Sequence, residues 1–378
     1  MVDASRFIGR LASLGIDFFT GVPDSLLKSF CAYIQDTVPA DHNIIAANEG
    51  GAVALAAGHY LATSRPAVVY MQNSGLGNTV NPLMSLNDSD VYAIPTLLLI
   101  GWRGQPGVKD EPQHIKQGKV TLPLLEAMGI EYAVLDTDTG NALAQLDTAA
   151  EYMRRNSRPY ALIVRKDTFE PYTLKNKAIA PEGISLCREE AINHIIDSLP
   201  QDTVIVSTTG MISRELFEAR EARHQDHSHD FLTVGSMGHA SQIALGIALA
   251  KPDRTVCCLD GDGAAIMHMG ALGITGSAKP ANYIHIVLNN GAHDSVGGQP
   301  TIGFQLKLTD IADASGYRST TRCADTGSIT SAISHAVGST GPSFIEVMVR
   351  KGARKDLGRP TTTPQQNKHA LMQNLADD

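Results

Sequence analysis

Two short loops carry the most pointed chemistry in this sequence. Gly261-Asp262-Gly263 closes one aliphatic run that reads as a buried strand, and Asn289-Asn290-Gly291 closes another. A carboxylate, an amide oxygen and a backbone carbonyl are hard oxygen donors. Such donors hold Mg²⁺ while phosphate oxygens and water complete its shell. An aspartate between glycines repels a pyrophosphate unless a cation stands between them, so the pattern favours a metal-bridged diphosphate over a nicotinamide dinucleotide. The dinucleotide fingerprint is also incomplete, because Ile266 stands where its third glycine belongs. No stretch matches the GxxxxGK[ST] phosphate loop.

The elements around these loops must place them together. Asn290 follows Asp262 by 28 residues, enough for a helix between two parallel strands. Both loops then lie at carboxyl ends of neighbouring strands, where open α/β sheets bind ligands. Aliphatic runs alternate with Ala/Leu-rich stretches along the chain, which predicts βαβ units and parallel sheets. Strands are expected at 17–19, 43–46, 67–71, 96–100 and 160–164, and again at 204–207, 231–234, 255–259, 283–288 and 344–349. Both halves contain a small-residue helix, a Pro break, a buried strand and a Gly-rich turn: 51–62 leads to Asn73-Ser-Gly-Leu-Gly77, and 238–250 leads to Asp260-Gly-Asp-Gly263. The aperiodic, Lys/Pro/Thr/Glu-rich stretch between the halves reads as a linker at 169–186, separating domains at 1–168 and 187–378.

Composition narrows the class. With 378 residues, 43% hydrophobic and 19% charged, the chain has material for two or three buried cores and is not a disordered polymer. A net charge of −8 without a basic run argues against nucleic acid as a partner. No apolar stretch approaches the roughly 20 residues of a membrane span, and the N-terminus lacks the pattern of a signal peptide. The odd count of five cysteines, with no CxxC pair, reads as reduced thiols of a cytoplasmic protein. His224, His227 and His229 form HxxHxH, which reads as a solvated loop rather than a metal site.

GDG followed by NN at this interval, each after a strand, resembles the cofactor-binding motif of the thiamine diphosphate-dependent decarboxylase superfamily. The resemblance covers about residues 5 to 350. It implies two doubly wound parallel-sheet domains, one for the pyrimidine and one for the diphosphate of the cofactor, with Mg²⁺ bridging protein and diphosphate. By that resemblance Asp262 and Asn290 are side-chain metal ligands and Ala292 offers its carbonyl. Gly261, Gly263 and Ala264 line the diphosphate, and so does the loop Thr208-Thr209-Gly210 before a helix N-terminus. Met237 props the bent cofactor, and the carbonyl of Gly235 accepts from its 4′-amino group. Glu49, at the start of a small-residue helix, supplies the carboxylate at N1′. As a residue alone it reads equally well as a helix-dipole partner.

The superfamily's larger members carry a middle domain for which this chain has no room. The short two-domain branch acts on 3-phosphonopyruvate or its sulfonate analogue, and it shares Gly21-Val-Pro-Asp-Ser25, Asp110-Glu-Pro-Gln-His114 and the stretch from Asn289 to Gly298. The resemblance thus implies a small 2-oxo acid substrate and at least a homodimer, with each site drawing Glu49 and Asp262 from different subunits. A phosphonate needs cations and N–H donors. Candidates are Arg103, Lys109, Asp24 and Ser25, the last two fitting equally well as an N-cap. His114 and His293 are candidates for proton delivery near neutral pH.

Overall fold

In the computed structural model, which describes residues 1–176 and 181–376, the chain divides into two compact units. They are Met1–Lys177 with Val296–Gln299, and Ala178–Ser295 with Pro300–Asp378. The first unit holds β1 (Phe19–Gly21), β2 (Asn43–Ile45), β3 (Val68–Gln72), β4 (Leu97–Gly101), β5 (Glu131–Val134) and β6 (Tyr160–Val164). The second holds β7 (Val204–Ser207), β8 (Asp230–Leu232), β9 (Val256–Gly261), β10 (Tyr283–Asn289), β11 (Ser319–Cys323) and β12 (Ser343–Met348). Their orders are β2-β1-β3-β4-β6-β5 and β11-β12-β10-β9-β7-β8, with every ladder parallel. Counted within each unit the two orders are the same, read from opposite ends. No third sheet intervenes among the described residues.

A parallel sheet covered by helices on both faces needs strands that are apolar at every position. β4 and β6 are buried throughout, and so is β10. Alternate residues feed different cores: Leu97 and Leu99 pack with Phe7, Phe19 and Phe30, while Leu98 and Ile100 pack with Val53, Ala56 and Met71. Cys257 and Leu259 likewise join one core of the second unit, and Val256 and Cys258 the other.

Ten of the twelve strands lie at the expected places, 160–164 and 204–207 residue for residue and the others within two residues at either end. The two without an expectation, β5 and β11, are edge strands, each paired on one side only. Their residues are mostly half-exposed, so Glu131-Tyr-Ala-Val and Ser319-Thr-Thr-Arg-Cys lack the aliphatic run that marks a central strand.

The expected linker is tied down at both ends. Phe169 bridges to Val2, the backbone N–H groups of Lys175 and Asn176 donate to Asp36, and Arg350 N donates to Leu186 O. Its middle, residues 177–180, lies outside the described residues.

One contact in the first unit fixes the position of His114. The helix Pro112–Ala127 presses Gly118 against Gly104 in the loop after β4, and a Cβ on Gly118 would stand 1.7 Å from the Gly104 oxygen. The Trp102 indole seals the joint by donating to Gly118 O at 2.9 Å. Gly118→Ala should therefore lower stability by about 1–2 kcal/mol, because backbone overlap outweighs the gain in helix propensity. Urea unfolding of the variant beside the wild type measures it; a variant as stable as the wild type would refute the close approach.

Candidate active site

In the second unit, β9 ends at Gly261 and Asp262 opens the short helix Asp262–Met267. Asp262 is only 2% exposed, and no cationic side chain pairs with it among the described residues. Its Oδ2 accepts from the Thr301 hydroxyl, yet burial still pushes its carboxyl up to about 6. A buried carboxylate in this condition is a strong attractor for a cation. Across the ladder, β10 delivers Asn290, whose Oδ1 accepts from Ala292 N at 3.0 Å. The turn is braced from below: Asn289 Nδ2 donates to Gly303 O and to Glu346 Oε1, and its Oδ1 accepts from Gly291 N. Asp260 Oδ1 accepts from Gly261 N at 2.9 Å, and its Oδ2 faces His285 Nε2 at 3.5 Å. The residues present thus offer an oxygen set that fits a hard divalent cation.

Thr301 and Gly303 belong to this site and carry no expectation from sequence. A Cβ on Gly303 would lie 2.4 Å from Asp262 Oδ2 and 2.6 Å from Asn289 Oδ1. The signal for them is weak, a glycine two residues beyond a Pro-Thr pair, and it takes the fold to bring them against β9.

The loop Thr208-Thr209-Gly210 follows β7 and precedes the helix Met211–Ala222. Gly210 has φ +102°, and no side chain caps the helix, so its first N–H groups remain available to an anion. Thr209 Oγ1 accepts from Gly235 N at 3.0 Å, joining this loop to 235–238. There Gly235, Ser236 and Gly238 all have positive φ, and Met237 is half-buried at the crest of the turn. Gly238 is required by packing too, since a Cβ would meet the His268 ring at 2.6 Å. His293 lies over Gly263: a Cβ there would approach its ring at 3.2 Å. Ala264 is buried in the helix that Asp262 begins.

In the first unit, Asn48 caps the helix Glu49–Thr63 by accepting from Gly51 N, which leaves Glu49 as the first helical residue. Glu49 is 5% exposed; its Oε2 accepts from Asn78 Nδ2 at 2.7 Å, and its carboxyl lies against Gly75. A second group gathers at the carboxyl ends of β1, β3 and β4. Asp24 is fully buried, and burial pushes its carboxyl up against the opposing hydrogen bonds from Gln72 and Leu26 N. Arg103 donates Nε and Nη2 to Asp110 and Nη1 to Ser25 Oγ.

Several expectations change here. Asp24 is not an N-cap, because the helix Lys28–Thr37 begins after Leu27 with no side-chain cap. Arg103 is held in place: with three N–H groups engaged, only two are left for an anion. Lys109 is exposed. His114 is buried, and desolvation, assisted by Arg103, holds its ring down at about 4. Desolvation likewise holds His293 at about 4. Both rings are therefore neutral at pH 7 and offer a neutral N–H. Of the histidines of HxxHxH, His224 is exposed, His227 stacks on Phe217 at 4.0 Å and meets Glu221, and His229 meets Ser228 and Asn374.

Comparison with known proteins gives this geometry its context. Residues 3–122 match the family model of the N-terminal TPP binding domain of thiamine pyrophosphate enzymes, and residues 208–347 match that of the C-terminal TPP binding domain. A phosphonopyruvate decarboxylase of Streptomyces hygroscopicus is 35% identical, over 96% of this chain and 92% of its own length. One from Streptomyces viridochromogenes is 34% identical with the same coverage. A sulfopyruvate decarboxylase of Methanosarcina acetivorans is 29% identical, over 92% of this chain and 91% of its own.

The depressed His114 has a direct readout. In a ¹H–¹⁵N spectrum recorded against pH, its ring should stay neutral down to about pH 5 and titrate near 4. Because the unfolded ring binds its proton near 6.5, this group costs the folded state stability as pH falls from 6.5 toward 4. A midpoint between 6 and 7 would contradict the buried, neutral assignment.

Proposed function

The chain belongs to the thiamine diphosphate-dependent decarboxylases, and from that premise we propose that it converts 3-phosphonopyruvate to phosphonoacetaldehyde and carbon dioxide with Mg²⁺ as the bridging metal. The observation that carries the substrate is near-full-length identity of 35% and 34% to phosphonopyruvate decarboxylases, against 29% to a sulfopyruvate decarboxylase. Such a reaction belongs to phosphonate biosynthesis in the cytoplasm.

When bound, thiamine diphosphate supplies the electron sink that decarboxylation needs. The chain's own residues do the rest. Asp262, Asn290 Oδ1 and the Ala292 carbonyl would hold the cation. Thr208, Thr209, Gly210 and the N–H groups of the helix behind them receive the diphosphate, with Gly261, Gly263 and Ala264 leaving room for it. Met237 would pack against the cofactor, and the Gly235 carbonyl would accept a hydrogen bond from its amino group. Glu49 holds and moves a proton at N1′. Its carboxylate is buried and already oriented by Asn78, which suits a positioned general acid–base. His114 and His293 donate neutral N–H groups toward the reacting end. Arg103, with Ser25 and Asp24 behind it, receives the substrate's anionic end through its two spare N–H groups, and Lys109 adds charge at the rim. The domains responsible are 1–168 for the pyrimidine and 187–378 for the diphosphate.

The working unit is a homodimer or a pair of dimers, with each centre completed by two copies of the chain. The helix Glu49–Thr63 supports this, because Leu55 and Leu61 on this largely apolar helix are 41% and 73% exposed. Large apolar side chains left in water on such a helix suit burial in an assembly.

Two experiments test these assignments. Aldehyde formation from phosphonopyruvate, sulfopyruvate and pyruvate, assayed side by side, should give the highest kcat/KM for phosphonopyruvate; a higher value for sulfopyruvate would reassign the substrate. Glu49→Gln and Asp262→Ala proteins should each lose at least about 10²-fold in turnover, and mixing them should restore part of it after subunit exchange. No recovery despite proven exchange would place both residues in one copy's centre.

A further inference from the structure

An asparagine amide has two chemically opposite ends, and only the oxygen can face a cation. At Asn290 the nitrogen end is occupied. Nδ2 donates to Asp294 Oδ2 at 2.8 Å. The same oxygen receives Arg188 Nη1 at 3.0 Å and Gly352 N at 2.9 Å. Arg188 cannot swing away, because Nε and Nη2 are gripped by the two oxygens of Glu215 at 2.7 and 2.8 Å. The Arg188 and Glu215 side chains are 4% and 2% exposed, so this fork is sealed from water. Burial pushes the Glu215 carboxyl up, and Arg188 opposes it. The backbone anchors the far end as well: Leu186 O accepts from Arg350 N, just beyond β12, and the helix Arg188–Ser198 starts there.

We propose that Arg188 and Asp294 are positioning residues that lock the amide of Asn290 so that Oδ1 is presented to the divalent cation. The proposal rests on the reading of Asn290 as a metal ligand. A flipped amide would turn its oxygen toward the Asp294 carboxylate and its N–H groups toward the cation, a repulsion at both ends. Asp294 in turn keeps its carboxylate aimed at Nδ2 because Arg188 neutralises it from behind. The chain Glu215–Arg188–Asp294–Asn290 thus does for an amide ligand what a hydrogen-bonded carboxylate does for a ligating histidine.

Mn²⁺ affinity, read from the electron paramagnetic resonance of free Mn²⁺ with thiamine diphosphate present, is the measurement. Asp294→Ala should weaken it about 10–100-fold, the usual cost of losing a group that orients a ligand, and turnover should recover at high metal. Asp294→Asn should fall between, since its oxygen still accepts from Nδ2 but carries no charge to pair with the guanidinium. Should the alanine variant fail to fold, Arg188→Lys keeps the buried charge and is expected to weaken Mn²⁺ by a smaller factor. Asn290→Ala and Asp262→Ala are the controls. If they bind Mn²⁺ like the wild type, the metal assignment falls and this proposal with it. If they weaken binding while the Asp294 and Arg188 variants match the wild type, or lose turnover that metal does not restore, only the positioning role is overturned.

Discussion

A carboxylate taken out of water must find a compensating charge or surrender its own. Asp262 has been taken out of water at the end of β9 and given a hydroxyl, not a cation, as its neighbour. The surrounding construction serves that one deficit. Gly303 lets the chain pass within contact of the carboxyl, Asn289 braces the turn that carries Asn290, and Asp260 pins the backbone just before it. Elsewhere the same unit buries charges in matched pairs, Arg220 with Asp230 and Arg188 with Glu215. The contrast marks Asp262 as a place prepared for something brought from outside.

The first unit handles its buried acids differently. Glu49 and Asp24 are each oriented by an amide, Asn78 and Gln72, rather than by a cation. An amide donor fixes a carboxyl in place without neutralising it. Arg103 stands near Asp24 but spends its strongest contacts on Asp110.

Much of this was legible in the residues. Central strands announce themselves because two-sided burial forces apolar runs, and GDG and NN stand out because each ends such a run. Glycine and amide chemistry at a strand end depends on local backbone, which a sequence records directly. Less legible were contacts made through space. Thr301 and Gly303 come from a loop far along the chain, the edge strands β5 and β11 are too polar to stand out, and the neutrality of His114 and His293 follows from burial, which no motif encodes. Asp24 and Ser25 fitted a helix cap as well as a site until the helix was seen to begin after Leu27.

The identical strand order of the two sheets has a consequence for how such a molecule is supplied. In each unit the third strand, β3 or β9, ends in a glycine-bearing turn, and the helix before it is built from small residues. One station of a common plan thus holds Gly75 against the Glu49 carboxyl in one unit and sets out Asp262 in the other. Two such halves, each with its own sheet and cores, could be made from separate genes, and then the cell would have to match their amounts. Carrying both in one reading frame fixes their ratio at synthesis, so no half accumulates without its complement.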